Sequence, residues 1–547
     1  MKLRNIILLI PFAAAGCVGL EQYPTNSYTD ANYWNNEENV RAALYLGYNQ
    51  CWSWDYYFAN NILSDDVYGS RNSENELNVV TGLANTSSGR FEGEWDACYQ
   101  ELRTIHTTLD AQDRITSVDD AFKTRMLAEL RLMRAWTYLR LITWYGDVPF
   151  FTSNPTLPEA REIGVTDENT IRQFILDELD YAASVLPKNT DLPASENGRY
   201  TCGTAIAIKA RAYLLNNDFE NCARECEKLI NSTEYGTYDL AGDFDELFKT
   251  GHYGPESIMT IETAYNSLDD VLRSWNPGGW CPQSVGSRGV TKQSPTQELV
   301  DVFRKIDGSV AGDTDYEDRD KRFYSTIAYN GCRVDVPAAR TDLGLTTDAE
   351  GRYTCYTNPD DEDRYGNRTQ NDAYDGSQDR TATGYYGLKN YYADDIDAGG
   401  NCIKPIMEIR FADILLMYAE SMYETGQMDS GVWDKTIRRL RERAGFASSY
   451  CSFPSGGDLR QAIRDERRAE LALEGRRVFD LRRWAVLDDA TIKETGASFL
   501  TSRATGAPFM DNGSNIVCQN SYNMRYWFAI PQAERDINHN LPQNPGW

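Results

Sequence analysis

Glu466, Glu470 and Glu474 recur every four residues, with Arg467, Arg468, Arg476 and Arg477 among and beside them. Two carboxylates set together are what a glycoside hydrolase needs, one as acid and one as base or nucleophile. The spacing argues for another role. An i, i+4 repeat puts all three along one helix stripe with arginines at hand. Guanidinium neighbours keep a carboxylate ionised, whereas a general acid needs its pKa raised. The run is therefore read as structural ion pairing, and no catalytic residue is assigned. The surrounding residues 435–483 carry 13 Lys+Arg against seven Asp+Glu, a basic island that a docking face would also explain.

Other reactive residue types are sparse or poorly spaced. His106, His252 and His539 are the three histidines of 547 residues, and no two are close in sequence, which disfavours histidine metal sites and histidine catalysis. Cys222 and Cys226 are four apart on a helical stretch, but no second Cys or His pair accompanies them at zinc-finger spacing. They read as small core residues. Asp313, Asp315, Glu317 and Asp318, and separately Asp360, Asp361 and Asp363, have the composition of calcium loops. Neither fits the EF-hand: Asp318 stands where the first loop needs glycine and Tyr324 where it needs its last glutamate, and Asp372 ends the second. No metal ligand is assigned. Phosphate chemistry has no Gly-rich loop to support it.

Aromatic residues are the abundant functional type: 34 Tyr, 12 Trp and 19 Phe. A sugar ring presents an apolar C–H face with hydroxyls at its edge, so a glycan site wants Trp or Tyr flanked by Asn, Asp or Arg. Two loops have that composition. One is Asp65-Asp66-Val67-Tyr68-Gly69-Ser70-Arg71-Asn72; the other is Ser274-Trp275-Asn276-Pro277-Gly278-Gly279-Trp280. Tyr68, Arg71, Asn72, Trp275 and Trp280 are the candidate ligand contacts, because a Gly/Pro-rich turn makes burial of both tryptophans difficult. Packing and contact with a partner protein are the competing roles for these loops. Trp95, Trp136 and Trp144 sit in helical stretches and are assigned to the core.

These candidates must be held by a long, acidic chain. Asp+Glu outnumber Lys+Arg by 82 to 55, a formal charge of −27, which opposes binding to nucleic acid or to an anionic membrane surface. At 41% apolar residues the chain can build a large core. Residues 1–16 read as a signal peptide, with Lys2 and Arg4 before a short apolar run broken by Pro11. It is too short to span a bilayer. Its end, Ala14-Ala15-Gly16-Cys17, looks like a bacterial lipobox, which makes Cys17 the acylated first residue of a mature chain with charge −29. Eleven further cysteines, an odd and thinly spread number, do not make a disulfide scaffold.

Helical periodicity comes in pairs. Residues 121–144 carry Leu127, Leu130, Arg134, Tyr138 and Leu141 on one stripe and stop at Gly146; a partner runs over 168–185. Residues 200–216 carry small residues at close-contact positions, turn at Asn217-Asp218, and continue as a helix over 219–230. Stretches 408–425 and 431–443 form another pair, and 36–50 with 91–111 an earlier one. About four such pairs predict a mainly α, tetratricopeptide-like superhelix in which each pair buries its face on the next. Residues 250–400 interrupt it with Gly, Asn, Asp and Tyr and no sustained period; 360–397 hold ten acidic against four basic side chains. Loops on a rigid scaffold are where recognition residues concentrate.

Several segments, in order along the chain, resemble the SusD/RagB family of Bacteroidetes outer-membrane lipoproteins. They are CVGLEQYP at 17–24, Tyr33-Trp34, RAWTYLRLITWYGDVP at 134–149, Gly198-Arg199-Tyr200-Thr201, IRFADILLMYAE at 409–420, RERAG at 441–445, ERRAELALEGRRVFDLRRW at 466–484, Ala529-Ile530-Pro531, and the closing Gln543-Asn544-Pro545-Gly546-Trp547. The resemblance divides the chain into a leader (1–16), an N-terminal helical region (17–240) and a C-terminal region (241–547) holding the ligand-binding block of about 250–400. It implies a surface-exposed, lipid-anchored binding protein of the outer membrane. Such a protein covers a TonB-dependent, SusC-like transporter and captures glycans, or in some members peptides, for import. No catalysis and no cofactor are implied, with a structural calcium ion left open. A peptide-binding RagB-like lid, a surface glycosidase and a structural tetratricopeptide adaptor are the alternatives.

Overall fold

The computed structural model describes residues 33–51, 54–267, 270–286, 291–340, 343–361, 372–375, 379–502, 504–510 and 521–547. The leader and Cys17 therefore lie outside the described residues. Helices dominate: α1 (Glu37–Gln50), α2 (Trp54–Ile62), α3 (Glu74–Val80), α4 (Gly89–Asp110), α5 (Asp120–Tyr145), α6 (Glu168–Val185), α7 (Cys202–Leu215) and α8 (Phe219–Ile230) precede the loop-rich block. After it come α9 (Phe411–Glu424), α10 (Ser430–Lys435), α11 (Ile437–Ala444), α12 (Leu459–Glu470) and α13 (Arg477–Asp488). Strands are short and pair two by two: β1 (Val67–Gly69) with β3 (Gln293–Pro295), β2 (Ser257–Ile261) with β6 (Ile406–Arg410), and β4 (Arg333–Asp335) with β5 (Arg352–Thr354). Among the described residues no helix is long and apolar enough to cross a membrane.

The helix ends follow local chemistry. Asp119 caps α5 by accepting from Phe122 N at 2.8 Å, and the helix stops at Gly146, whose φ of +71° suits glycine. Thr201 and Thr204 close a reciprocal capping box at the start of α7. The turn between α7 and α8 places Asn217 at φ +55°, a conformation asparagine tolerates, and Asp218 then caps α8. Two boundaries differ from the periodicity. Residues 408–410 are strand, because Ile406–Arg410 pairs with Ser257–Ile261 before α9 begins. The stretch 431–443 breaks at Thr436 into α10 and α11.

Packing runs from helix to helix: α4 on α5, α5 on α6, α6 on α7, α7 on α8. The step after α8 is α9, which is 180 residues further along the chain. The superhelix thus continues across the insertion as if it were absent, and the β2–β6 ladder closes the insertion's base. α7 is the central layer. Gly203, Ala205, Ala207, Ala210 and Ala212 are buried on it, and their small size lets α6, α8 and α9 approach on different sides.

The glutamate run does its pairing in this core, but with partners far away in sequence. Arg410 Nη1 donates to Glu470 at 2.6 Å and to Glu256 at 2.7 Å, and its other nitrogens reach Glu474 at 2.8 and 3.0 Å. Arg322 donates to Glu466 at 2.7 Å and Glu470 at 2.9 Å, and Arg443 donates to both Glu256 and Glu470. A second cluster joins Arg211 and Arg467 to Asp413, Arg467 to Asp480, and Arg483 to Asp480 and Glu420. The stripe expected for all three glutamates ends at Glu470. Glu474 lies past α12, in a turn with Leu473 at φ +61° and Gly475 at φ +70°, and still reaches Arg410. Much of the basic island is accordingly interior: Arg441, Arg467, Arg482 and Arg483 are buried.

Burial alone would push these carboxyls up, and the guanidiniums overcome it. Arg443, Arg410 and Arg322 hold Glu470 well below the usual range; Arg410 and Lys389 hold Glu474 low; Arg467 and Arg211 hold Asp413 low. Each contributes stability that is present above the unfolded-state value of about 4 and is lost as pH falls through the lowered folded value. Urea midpoints should therefore stay level from neutral pH to about 5 and drop steeply below about 4; a midpoint unchanged at pH 3 would contradict the pairing. Glu470→Ala, which takes one carboxylate partner from each of three buried guanidiniums, should cost about 3–5 kcal/mol in urea unfolding.

Candidate functional site

The two aromatic-and-polar loops are about 200 residues apart in sequence and adjacent in the fold. Residues 291–295 run between them. On one side Tyr68 pairs with Ser294 in the β1–β3 ladder and Ser70 N donates to Lys292 O at 3.0 Å. On the other, Lys292 N donates to Gly279 O at 2.8 Å. One strand thereby fixes both loops.

Within this arrangement the tryptophans are not exposed. Trp275 is 5% and Trp280 8% accessible. Trp280 stacks on Phe58 of α2 with ring centroids 3.9 Å apart, and the two indoles stack on each other at 5.4 Å. Tyr57, Ile261, Cys402 and Ile406 complete this small core. The Gly/Pro-rich turn does not leave the indoles in water because its backbone is tied down. Trp275 exchanges backbone hydrogen bonds with Cys402, its indole N–H donates to Lys404 O at 2.8 Å, and Gly387 N donates to Trp280 O at 2.9 Å. The expectation of exposed indole platforms is thus corrected: the rings form the floor beneath the turn.

Tyr68 is also buried, at 9%, within the main core. Asp65 and Asp66 are drawn inward by the basic island. Arg477 grips Asp65 with two bonds of 2.7 and 2.9 Å, and Arg468 Nε donates to Asp66 at 2.6 Å. Burial raises both carboxyls; Arg468 and Arg477 outweigh it at Asp65 and hold that group at about 2, while Asp66 stays raised. These aspartates anchor the loop to α12 and α13. Arg71 begins the 3₁₀ turn Arg71–Ser73, and its side chain lies outside what is described.

What faces solvent is a polar rim. Asn72 is half-buried and donates from Nδ2 to Thr291 O at 3.3 Å and to Asp379 Oδ1 at 3.5 Å. Asn276 is exposed; its Oδ1 accepts from Gly278 N at 2.7 Å and its Nδ2 reaches Asn401 at 3.4 Å. Lys292 is exposed beside Gly279. The rim so gathers amide, ammonium and carboxylate groups from five chain segments over an aromatic floor. Lys292, Asp379 and Asn401 carried no local motif, since only the β1–β3 pairing and the fold of the insertion bring them here. Phe58 had a signal in the aromatic run of α2, Trp54-Asp55-Tyr56-Tyr57-Phe58.

Other candidates come to different ends. Loop 312–319 closes round a protein cation: Arg319, 1% exposed, donates to the carbonyls of Val300, Phe303, Gly312 and Asp315 at 2.7–3.0 Å, and Asp315 pairs with Lys305 at 2.6 Å. The Gly312 and Asp315 carbonyls and the Asp315 carboxylate of this loop are thus engaged by protein cations. Asp361 accepts from Asn330 at 3.0 Å, and Asp363 lies outside the described residues. Among the described residues no three His, Cys, Asp or Glu side chains converge as metal ligands. A crevice of about 80 Å³ opens between α2, α5, α7 and α13. Its Arg140, Arg211 and Arg476 are engaged by Glu94, Glu408 and Asp413.

The described residues thus form a helical-repeat superhelix whose one large loop-bearing insertion carries the candidate polar rim on an aromatic floor. Residues 255–547 match the model of the SusD family, and the chain belongs to that family. It is 22% identical to SusD-like protein P25 of Formosa agariphila, over 93% of this chain and 95% of that one. It is likewise 22% identical to the starch-binding protein SusD of Bacteroides thetaiotaomicron, over 89% of this chain and 84% of that one. Among solved structures, a SusD-like carbohydrate-binding protein of Bacteroides fragilis superposes with a TM-score of 0.74 at 23% identity, covering 93% of this chain and 100% of the other.

Because Trp280 supports the turn from below, Trp280→Ala should lower the unfolding free energy by about 3–5 kcal/mol in urea. A loss under about 1 kcal/mol would return the indole to the surface.

Proposed function

We propose that the protein is a surface lipoprotein that captures a glycan and passes it to a TonB-dependent, SusC-like transporter of the outer membrane. The observation that carries this reading is the convergence of the 65–72 and 274–280 loops on residues 291–293. Sugar hydroxyls both donate and accept, so they need a mixed rim of the kind that Asn72, Asn276, Lys292 and Asp379 make. Tyr68, Trp275 and Trp280 hold that rim in place from beneath. The starch-binding and carbohydrate-binding relatives support the same ligand class. Cys17 supplies the anchor through its acyl chains, and the −29 charge of the mature chain leaves attachment to those chains alone.

Binding without hydrolysis is part of the proposal. Glu470 and Glu474 are held ionised by guanidiniums, which is the opposite of what a general acid requires.

Affinity electrophoresis through gels of soluble starch, β-glucan and mannan tests the reading, with a casein digest as the peptide arm. The wild type should be retarded by at least one glycan and leave oligosaccharide lengths unchanged by chromatography. The Asn72→Ala, Asn276→Ala double variant should lose about 30- to 150-fold in affinity, as two or three hydrogen bonds of about 1 kcal/mol predict, and remain folded, with a urea midpoint lowered only by the loss of the Asn276–Gly278 and Asn72–Thr291 bonds. Full affinity in that variant removes the rim from the site. Retention of peptide and of no glycan transfers the protein to the peptide-binding reading.

A further inference from the structure

The hairpin β4–β5 in the insertion has a buried and an exposed face. Val334 and Tyr353 are opposite each other on the buried face, and Arg333 and Asp335 point outward. The ladder runs on for one more step in altered form. Gly331 N donates to Cys355 O at 2.8 Å, and Cys355 N donates to Cys332 O at 2.9 Å. Two residues on one strand thus face one on the other, and the first is a glycine at φ +87°. That is a G1 bulge. It makes Cys332 and Cys355 direct cross-strand neighbours on the buried face. Cys332 is 7% and Cys355 0% exposed, and the Cys332 thiol is near enough to Cys355 to help push its thiol up.

No third ligand completes a metal site round them among the described residues. Asp372, the nearest carboxylate, accepts a weak bond from Cys355 Sγ at 3.8 Å and is also engaged by Ser284 N at 2.8 Å. Two thiols this close, in a chain that leaves the cytoplasm, meet an oxidising compartment. We propose that Cys332 and Cys355 are joined by a disulfide in the exported protein. The proposal rests on the lipoprotein reading for its compartment and on the bulge for its geometry.

The oxidant is the disulfide of a thiol–disulfide oxidoreductase. One cysteine thiolate attacks that disulfide to form a mixed disulfide, and the second cysteine displaces the oxidoreductase. One S–S bond forms and one breaks; the two protons and two electrons leave on the reduced oxidoreductase. Burial, the Cys332 thiol and Asp372 push the Cys355 thiol well above its ordinary value, so little thiolate is available once the hairpin is packed. Exchange therefore occurs while the hairpin closes, and afterwards burial protects the bond. Cys281 and Val285 pack in the same cluster, directly after Trp280, so the bond would clamp this part of the insertion beside the candidate rim. Cys222 and Cys226 make the contrast. They are near each other too, but as i, i+4 neighbours their Cβ vectors run parallel along α8 and do not converge for a bridge.

The experiment is peptide mapping of the full chain, taken from the outer membrane of its own cell, acid-quenched and alkylated without reduction. The expected result is a linked peptide pair holding Cys332 and Cys355, in a chain about 2 Da lighter than its reduced form, with Cys222 and Cys226 alkylated. The Cys332→Ser variant should lose the link. The urea midpoint of the wild type should fall on adding reductant, and that of the variant should not move. Alkylation of both Cys332 and Cys355 in the native chain overturns the proposal. A parallel arm, leaderless chain refolded from urea with oxidised glutathione, then assigns the fault: a link there blames the export reading, and no link blames the geometry.

Discussion

The structure depends on charge pairing inside its core. Arg322, Arg410, Arg443 and Lys389 converge on Glu466, Glu470, Glu474 and Glu256 from four separate parts of the chain. A buried charge is costly unless it is paired and hydrogen-bonded, and removing one partner is far worse than never having had the pair. Each group therefore requires all the others to be in place. The cluster ties α11 and α12 to strand β6 and to three points in the insertion, Glu256, Arg322 and Lys389. Hydrophobic contact alone would hold these elements together, but with less demand on their exact alignment.

That alignment is what the candidate site uses. The insertion leaves the superhelix after α8 and returns at β6, and the same segment that carries Arg410 closes its base against β2. Arg468 and Arg477, on α12 and α13, reach forward to Asp65 and Asp66 and so fix the start of the 65–72 loop. Residues 291–295 then bind this loop to the turn at 274–280. The path from the ion cluster to the polar rim is short and made of hydrogen bonds and stacked rings throughout.

Helices were legible because their signal is local. The stripe over 121–144, the alanines of 200–216 and the Asn217-Asp218 turn correspond to α5, α7 and the α7–α8 connection within a residue or two. The SusD/RagB resemblance was legible because its segments persist in order along the chain. Site residues were less so. The two loops were found by composition, yet composition could not say that Phe58 stacks on Trp280, or that Asp65 and Asp66 meet arginines 400 residues away. Lys292 and Asp379 had no signal at all, since neither is near an aromatic motif in sequence.

Sequence by itself determined the helical periods, the acidic balance and the family. Each of these is written in residues within a few turns of one another, or in segments that keep their order. Only the tertiary structure decided which tryptophans are floor and which polar groups are rim, where the basic island points, and that Gly331 brings Cys332 against Cys355. The reason is physical: burial, stacking and ion pairing are set by what arrives from elsewhere in the chain. A residue's own neighbours carry no record of that partner.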